Sequence, residues 1–235
     1  MTEPAKSSRV ALLDTWRGVT VLVMVGWHLA WDLGMFGVFP QYLMMRQPAL
    51  GIRYYIICSF VLLSGISCRY SRSNARRGMQ TLACALVVSL VTALAGDPVV
   101  FGVLHLLGCC MLFYALIGER FEKLPPTPTA AVCFALFLIL HKICYGIRVN
   151  ITWLWMFGFR TREFYSSDYY PIFPWLFLFL VGAVVGGWIR SSDGAWKRRA
   201  GVAPLNWVGR HALWIYMVHQ PVLLGCVWLY NRLRG

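Results

Sequence analysis

Residues 14–33 read DTWRGVTVLVMVGWHLAWDL, and this segment decides the class of fold. About twenty mainly apolar residues are the length that an α-helix needs to cross a hydrocarbon layer roughly 30 Å thick. The segment nevertheless carries four ionisable side chains, Asp14, Arg17, His28 and Asp32. Because such groups are costly inside a bilayer, we expect a membrane helix with functional polar residues rather than a plain anchor.

The rest of the chain repeats this apolar pattern. Of its 235 residues, 59% are hydrophobic and 13% are charged, which is unusual for a soluble domain. The predicted spans are about residues 12–33, 50–68, 79–95, 99–118, 127–147, 171–190 and 205–230. An eighth crossing stays open, because residues 151–159 could dip into the bilayer. The sequence thus predicts an all-α polytopic membrane bundle of about seven transmembrane helices, with residues 1–235 forming a single domain.

The charge distribution predicts the orientation of this bundle. The chain has 22 Lys and Arg against 9 Asp and Glu, a net charge of +13. The basic residues cluster in short connections, which favours a topology signal over nucleic-acid binding. Those expected on one side are Lys6, Arg9, Arg69, Arg72, Arg76, Arg77, Arg120, Lys123, Arg190, Lys197, Arg198 and Arg199. Since the other side carries fewer basic residues per loop, we predict that the N-terminus is cytoplasmic.

The cysteines and glycines exclude several classes of site. The eight cysteines lie mostly inside apolar runs and lack Cys-X-X-Cys spacing, which argues against a zinc site and a disulfide framework. No Walker A or dinucleotide-binding glycine pattern is present, so a nucleotide-hydrolysing motor is not supported. We therefore predict no bound metal.

The histidines are the candidate catalytic groups. His28, His105, His141 and His219 are all expected in the outer half of their spans. A lone histidine in a membrane helix can simply bond a neighbouring helix, and we prefer that interpretation for His141 and His211. His28 differs, because Asp32 follows it at i+4 and could orient its ring and raise its basicity. The His28–Asp32 pair predicts that His28 acts as a general base or as a nucleophile.

Arg17 lies at the opposite end of the helix face that carries His28. It precedes His28 by eleven residues, close to three helical turns, which separates the two by about 16 Å along the axis. Asp14 lies one turn below Arg17 and could pair with it. The face thus offers a cationic anchor near the cytoplasm and a base near the outside. Alternatively, Arg17 only extends toward the cytoplasmic interface.

Two further segments have a predicted use. The link CRYSRSNARRG offers Arg69, Ser71, Asn74 and Arg77 as donors that could hold phosphates, although such runs are more often topology signals. The small residues GAVVG at 182–186 predict close helix packing, inside the protomer or in a homodimer.

The chain resembles a small bacterial member of the heparan-alpha-glucosaminide N-acetyltransferase-like family, part of the transmembrane acyltransferase superfamily. Five blocks carry the resemblance in order: LDTWRGVTVLVMVGWHLAWDL, FVLLSGISCRYSRSNARRG, FGVLHLLG, FPWLFLFLVGAVVGG and NWVGRHALWIYMVHQPVL. The spacing from Arg17 to His28 is also similar to the arginine, ten residues, histidine signature of acyltransferase-3 relatives.

The resemblance implies acyl transfer across the membrane. An acyl-coenzyme A, expected to be acetyl-coenzyme A, would bind from the cytoplasm and react with a glycan or lipid-linked acceptor on the far side. His28 would act as base or as transient acyl carrier, with Asp32 orienting it. The remaining implied roles are acceptor or oxyanion binding by His105 and His219, and donor binding by Arg17, Asp14, Arg69, Ser71, Asn74 and Arg77.

Two other functions remain open at this point. Histidines at one depth could supply axial ligands to a haem, which would make the chain a redox protein. Alternatively, the intramembrane charges could form the substrate path of a transporter or flippase.

Overall fold

The structure is a computed structural model that describes residues 10–194, 197 and 201–234. Lys6, Arg9, Arg198 and Arg199, which contribute to the predicted charge asymmetry, lie outside these residues. The helices are α1 (Ala11–Met35), α2 (Ala49–Cys68), α3 (Asn74–Leu94), α4 (Val103–Phe121), α5 (Pro126–Gly146), α6 (Ile172–Ser191), α7 (Ala203–Arg210) and α8 (Ala212–Arg234). Short 3₁₀ helices occupy Gln41–Met45 and Thr152–Phe157.

In the part of the chain that the structure describes, seven helices, α1 to α6 and α8, are long and apolar enough to cross a membrane. The prediction of an all-α polytopic membrane bundle is therefore confirmed. The orientation, with a cytoplasmic N-terminus, stays a prediction. The segment considered for an eighth crossing contains only the six-residue 3₁₀ helix Thr152–Phe157, which is too short to span a bilayer.

Two helix ends differ from their predicted positions. Helix α3 begins at Asn74 rather than near residue 79, because the Ser73 side chain accepts a hydrogen bond from the Arg76 backbone N–H and so caps a polar first turn. The last predicted span, 205–230, is divided at His211 into α7 and α8. The apolar pattern runs through this break, and hydropathy therefore does not reveal it.

The chain forms two compact units, residues 1–60 with 193–235 and residues 61–192. In the first, called the terminal unit, α7 lies directly against α1. A Cβ at Gly18 would collide with the Leu205 carbonyl, and one at Gly209 with the Asp14 carbonyl. Close approach of this kind requires residues without side chains. The prediction of one domain over residues 1–235 stays a prediction.

The second unit, called the central unit, contains the end of α2 and helices α3 to α6. Helices α2 and α6 are in reciprocal contact, because a Cβ at Gly65 would meet the Phe179 carbonyl and one at Gly182 would meet the Leu62 carbonyl. The predicted close packing of the GAVVG segment is thus confirmed inside the protomer. The homodimer stays a prediction.

Candidate functional site

His28 of α1 and His219 of α8 face each other in the terminal unit. Their ring centroids are 4.9 Å apart and the ring planes are inclined by 59°. The Trp27 indole meets the His28 ring edge-on, with centroids 5.3 Å apart. Two residues separated by almost the whole sequence thus form one imidazole pair within apolar helices.

The hydrogen bonding of His219 determines where its proton lies. Its Nδ1 is 2.6 Å from the Tyr216 carbonyl oxygen. A carbonyl oxygen only accepts, so Nδ1 must carry the hydrogen, and in a neutral ring Nε2 then bears the lone pair. This Nε2 is buried and has no partner in the part of the chain that the structure describes, and the residue is only 8% exposed. His219 therefore presents a lone pair inside the protein without a protein donor.

Asp32 is held by α8 rather than by its own helix. It is 3% exposed, and the Gln220 side-chain amide donates to both carboxylate oxygens at 3.0 Å. Within residues 10–194, 197 and 201–234, no hydrogen bond joins Asp32 to His28. The aspartate can therefore influence His28 through charge and position, but direct orientation of the ring is not observed.

Gln220 was missed in the sequence analysis. Its only sequence signal is its position next to His219 in the segment HQP. Pro221 follows it inside α8, where the absent N–H and the ring weaken the regular helical hydrogen bonding. The glutamine amide thus bonds across to α1 from the residue that precedes the proline of α8.

The Asp32–Gln220 contact leads to a stability prediction. Asp32→Ala is expected to lower the free energy of unfolding by about 1–3 kcal/mol, because the Gln220 amide loses its partner. The reciprocal double variant Asp32→Asn/Gln220→Glu keeps one carboxylate and one amide and should recover most of that loss. Thermal unfolding in detergent measures both, with the exposed carboxylate variant Glu163→Ala as control. Equal unfolding temperatures for Asp32→Ala and the control would show that the contact contributes nothing.

Arg17 pairs with Asp14 as the i,i+3 spacing suggested. The Arg17 Nη1 and Asp14 Oδ1 atoms are 2.8 Å apart, and the side chains are 23% and 16% exposed. The pair lies about 16 Å from His28 along α1. One helix therefore carries an arginine–aspartate pair toward one end and the imidazole toward the other.

His105, in the central unit, resembles His219 in having a buried ring nitrogen whose lone pair has no partner among the described residues. The Ser89 hydroxyl donates its single proton to the Val99 carbonyl at 2.5 Å, and its oxygen is 3.4 Å from His105 Nε2. Since the Ser89 hydroxyl proton is already donated to Val99, the hydroxyl oxygen can only accept from the His105 ring. Nε2 of His105 therefore donates, and its Nδ1 holds the lone pair. That Nδ1 is buried and unpartnered in the described part of the chain. The ring stacks on Phe101, with centroids 5.4 Å apart.

The loop before α6 is fastened to the turn between α3 and α4. The Asp168 carboxylate accepts from the Val103 backbone N–H at 3.3 Å, and the Tyr165 hydroxyl donates to Asp97 at 2.8 Å. The Asp97 hydrogen bond and its negative charge raise the pKa of the Tyr165 phenol. An ordinary phenol is already protonated at neutral pH, so the raised pKa extends to higher pH the range in which Tyr165 donates to Asp97.

Arg69 forms an ion pair with Glu122, which was not predicted from the sequence. Its guanidinium contacts the Glu122 carboxylate, and its Nη1 donates to the Tyr114 hydroxyl at 3.4 Å. Tyr114 in turn donates to Glu122 Oε1 at 2.8 Å. Glu122 follows Arg69 by more than fifty residues, so no local pattern indicated this partnership.

The other predicted phosphate donors of the link form hydrogen bonds within the link itself. Asn74 donates to the Cys68 carbonyl at 3.1 Å, and Arg77 donates to the Ser67 carbonyl at 3.4 Å. The Ser71 hydroxyl oxygen accepts from the backbone N–H two residues later at 3.2 Å. These contacts give the side chains a structural role in the connection between α2 and α3, and their role in donor binding stays a prediction.

Comparison with known proteins identifies the chain at the family level. It matches the family model described as "Heparan-alpha-glucosaminide N-acetyltransferase, catalytic" over residues 9–221 of 235. Searches of curated proteins and of solved structures found no match. The matched region includes both imidazoles of the His28–His219 pair, together with Asp32 and Gln220.

Proposed function

Because the chain belongs to the heparan-alpha-glucosaminide N-acetyltransferase catalytic family, we propose that it transfers an acetyl group from cytoplasmic acetyl-coenzyme A to an extracytoplasmic acceptor. It is an integral membrane protein of a transferase family, with seven helices long enough to span. The proposed compartment is the bacterial inner membrane, and the proposed acceptor is a glycan or a lipid-linked molecule. The observation that carries the proposal is the His28–His219 pair, in which His219 is buried and His28 is half-buried.

The pair has the chemistry that acyl transfer needs. In a direct transfer, the acceptor hydroxyl or amine attacks the thioester carbonyl while His28 takes its proton. The carbon–sulfur bond then breaks, and the proton passes to the departing thiolate, which leaves as the free thiol of coenzyme A. His219, neutral with a lone pair on Nε2, would stabilise the His28 imidazolium.

A covalent route uses the same residues. His28 would attack the thioester, form an acetyl-imidazole and release coenzyme A before the acceptor takes the acetyl group. Ping-pong kinetics and a burst of free thiol indicate this route, whereas a requirement for acceptor before any thiol release indicates direct transfer. In both routes Asp32 stabilises positive charge on the imidazole pair through its negative charge.

Arg17 is the proposed anchor of the donor in the terminal unit. The distance of about 16 Å from Arg17 to His28 suits an extended pantetheine arm with its thioester at the imidazole. Asp14 would keep the guanidinium in place, and a coenzyme A phosphate would bind to the guanidinium.

Calorimetric titration of the purified protein with acetyl-coenzyme A tests this anchor. Arg17→Ala is expected to weaken binding about tenfold or more, the effect of losing a charge-assisted hydrogen bond. Arg162→Ala, an exposed arginine of the predicted outer loop, is the matched control and should bind like the wild type. If the wild type binds and both variants match it, Arg17 is not the anchor. If the wild type binds no acyl-coenzyme A, the proposed donor is wrong.

A further inference from the structure

The central unit contains a cavity of about 210 Å³ where α4 and α6 end and α5 begins. Apolar side chains form much of its wall, among them Phe121 and Val184. The Arg69–Glu122 ion pair also lines it. Trp188 and Leu124 are 42% and 50% exposed beside it. These helix ends belong to the predicted cytoplasmic boundary of the membrane, where tryptophan side chains are enriched.

The ion pair leaves one donor and one acceptor unused. Arg69 Nε is buried and has no partner among the residues described. Arg69 and Tyr114 both contact the same oxygen of Glu122, Oε1, so Oε2 remains available to accept. One wall of the cavity therefore combines a cationic donor with an anionic acceptor.

Two hydroxyl groups add further acceptors to the cavity. Thr129 Oγ1 donates to the Pro125 carbonyl at 2.7 Å, and Ser191 Oγ donates to the Trp188 carbonyl at 3.1 Å. Since each hydroxyl has a single proton, both oxygens can only accept from a ligand. The cavity thus matches a group that brings several N–H donors together with an anion.

Size and position restrict what can carry such a group. Drug-sized ligands occupy about 300–1,000 Å³, so this cavity takes only a small polar head, and any larger remainder must lie outside. Beside it, exposed apolar side chains continue along α5, including Val132 and Ile139, as expected for a lipid-facing surface. A phospholipid combines a small polar head with long apolar tails.

We propose that this cavity binds the headgroup of an aminophospholipid, with its phosphate on Arg69 and its primary ammonium on Glu122, Thr129 and Ser191. The inference is independent of the proposed acyl transfer. A primary ammonium donates three hydrogen bonds, and each added N-methyl group removes one. The site should therefore prefer phosphatidylethanolamine to its N-methylated forms and to phosphatidylglycerol.

Native mass spectrometry of the purified full chain tests the preference without any mutation. Phosphatidylethanolamine and its mono-, di- and trimethyl derivatives, all with the same acyl chains, are added at equal concentrations. Bound lipid is expected to fall at each methylation and to be at least about tenfold lower for the trimethyl form, since all three hydrogen bonds of the ammonium are then lost. Equal binding of all four lipids, or of phosphatidylglycerol and phosphatidylethanolamine, would overturn the proposal.

A pair of isosteric variants locates the site. Glu122→Gln keeps the shape and an acceptor for Tyr114 but removes the charge, and it should reduce phosphatidylethanolamine binding about tenfold while phosphatidylglycerol binding does not fall. Glu119→Gln changes an exposed residue in the last turn of α4, just before Glu122, and should bind like the wild type. Unfolding temperatures without lipid show whether each variant is folded. Identical lipid binding by the two folded variants would contradict the assignment.

Discussion

Replacing His28 by alanine is expected to lower acetyl transfer roughly 10²–10⁴-fold, the usual contribution of a positioned acid–base group. The imidazole faces His219 across α1 and α8, and its removal takes away the group that would accept the acceptor's proton or carry the acetyl group. Arg17, the proposed donor anchor, is unchanged in this variant, so binding of acetyl-coenzyme A should persist. The measurement is acetyl transfer by purified protein in detergent, with donor binding followed on the same sample.

His141→Ala is the matched control for this prediction. His141 is also a histidine of a membrane helix, and it packs against Tyr145 and Trp175 in the central unit. Its variant should keep transfer activity near that of the wild type. Full transfer activity in folded His28→Ala would exclude His28 as base or carrier. Loss of donor binding together with activity would instead indicate that the variant had disturbed the fold.

Replacing Gly182 by valine is expected to destabilise the protein by at least about 3 kcal/mol, the upper part of the range for overpacked cores. A Cβ at this position would collide with the Leu62 carbonyl of α2, which is backbone and cannot rotate away. The two helices would have to separate, and the reciprocal contact of Gly65 with Phe179 would be lost as well. Thermal unfolding in detergent and the yield of monodisperse protein measure the effect.

Gly225→Val in α8 provides the matched control. A Cβ at Gly225 has no neighbour within 4 Å, so the same chemical change adds no collision. Its unfolding temperature should stay close to that of the wild type. If the Gly182 and Gly225 variants unfold at the same temperature, the close α2–α6 packing does not contribute to stability.

The sequence predicted the features that depend on short stretches of chain. Seven apolar segments of bilayer length predicted the all-α membrane fold, and five ordered blocks predicted the family. The Arg17–Asp14 pair was foreseeable because an i,i+3 spacing alone brings the side chains together. By contrast, α7 was merged with α8, since hydropathy responds to composition and not to the turn at His211.

The candidate site was only partly predictable for the same reason. His28 was identified from Asp32 at i+4, but the structure pairs Asp32 with Gln220, 188 residues away in the sequence. The i+4 spacing brings His28 within reach of Asp32, but it does not show whether the carboxylate bonds to His28 or to a residue of another helix. That choice depends on where α8 packs, and a local pattern carries no information about it.

The sequence by itself determined that the chain is an all-α membrane protein with about seven spanning helices, which family it belongs to, and which helix face carries both Arg17 and His28. These follow from hydrophobic length, ordered motifs and a helical repeat of 3.6 residues, all of which are local properties. Only the tertiary structure decided that His219 faces His28, that its lone pair has no donor among the residues that the structure describes, and that Glu122 neutralises Arg69. Such contacts join distant segments, and they are fixed by glycine-mediated helix packing and by the need to pair buried polar groups.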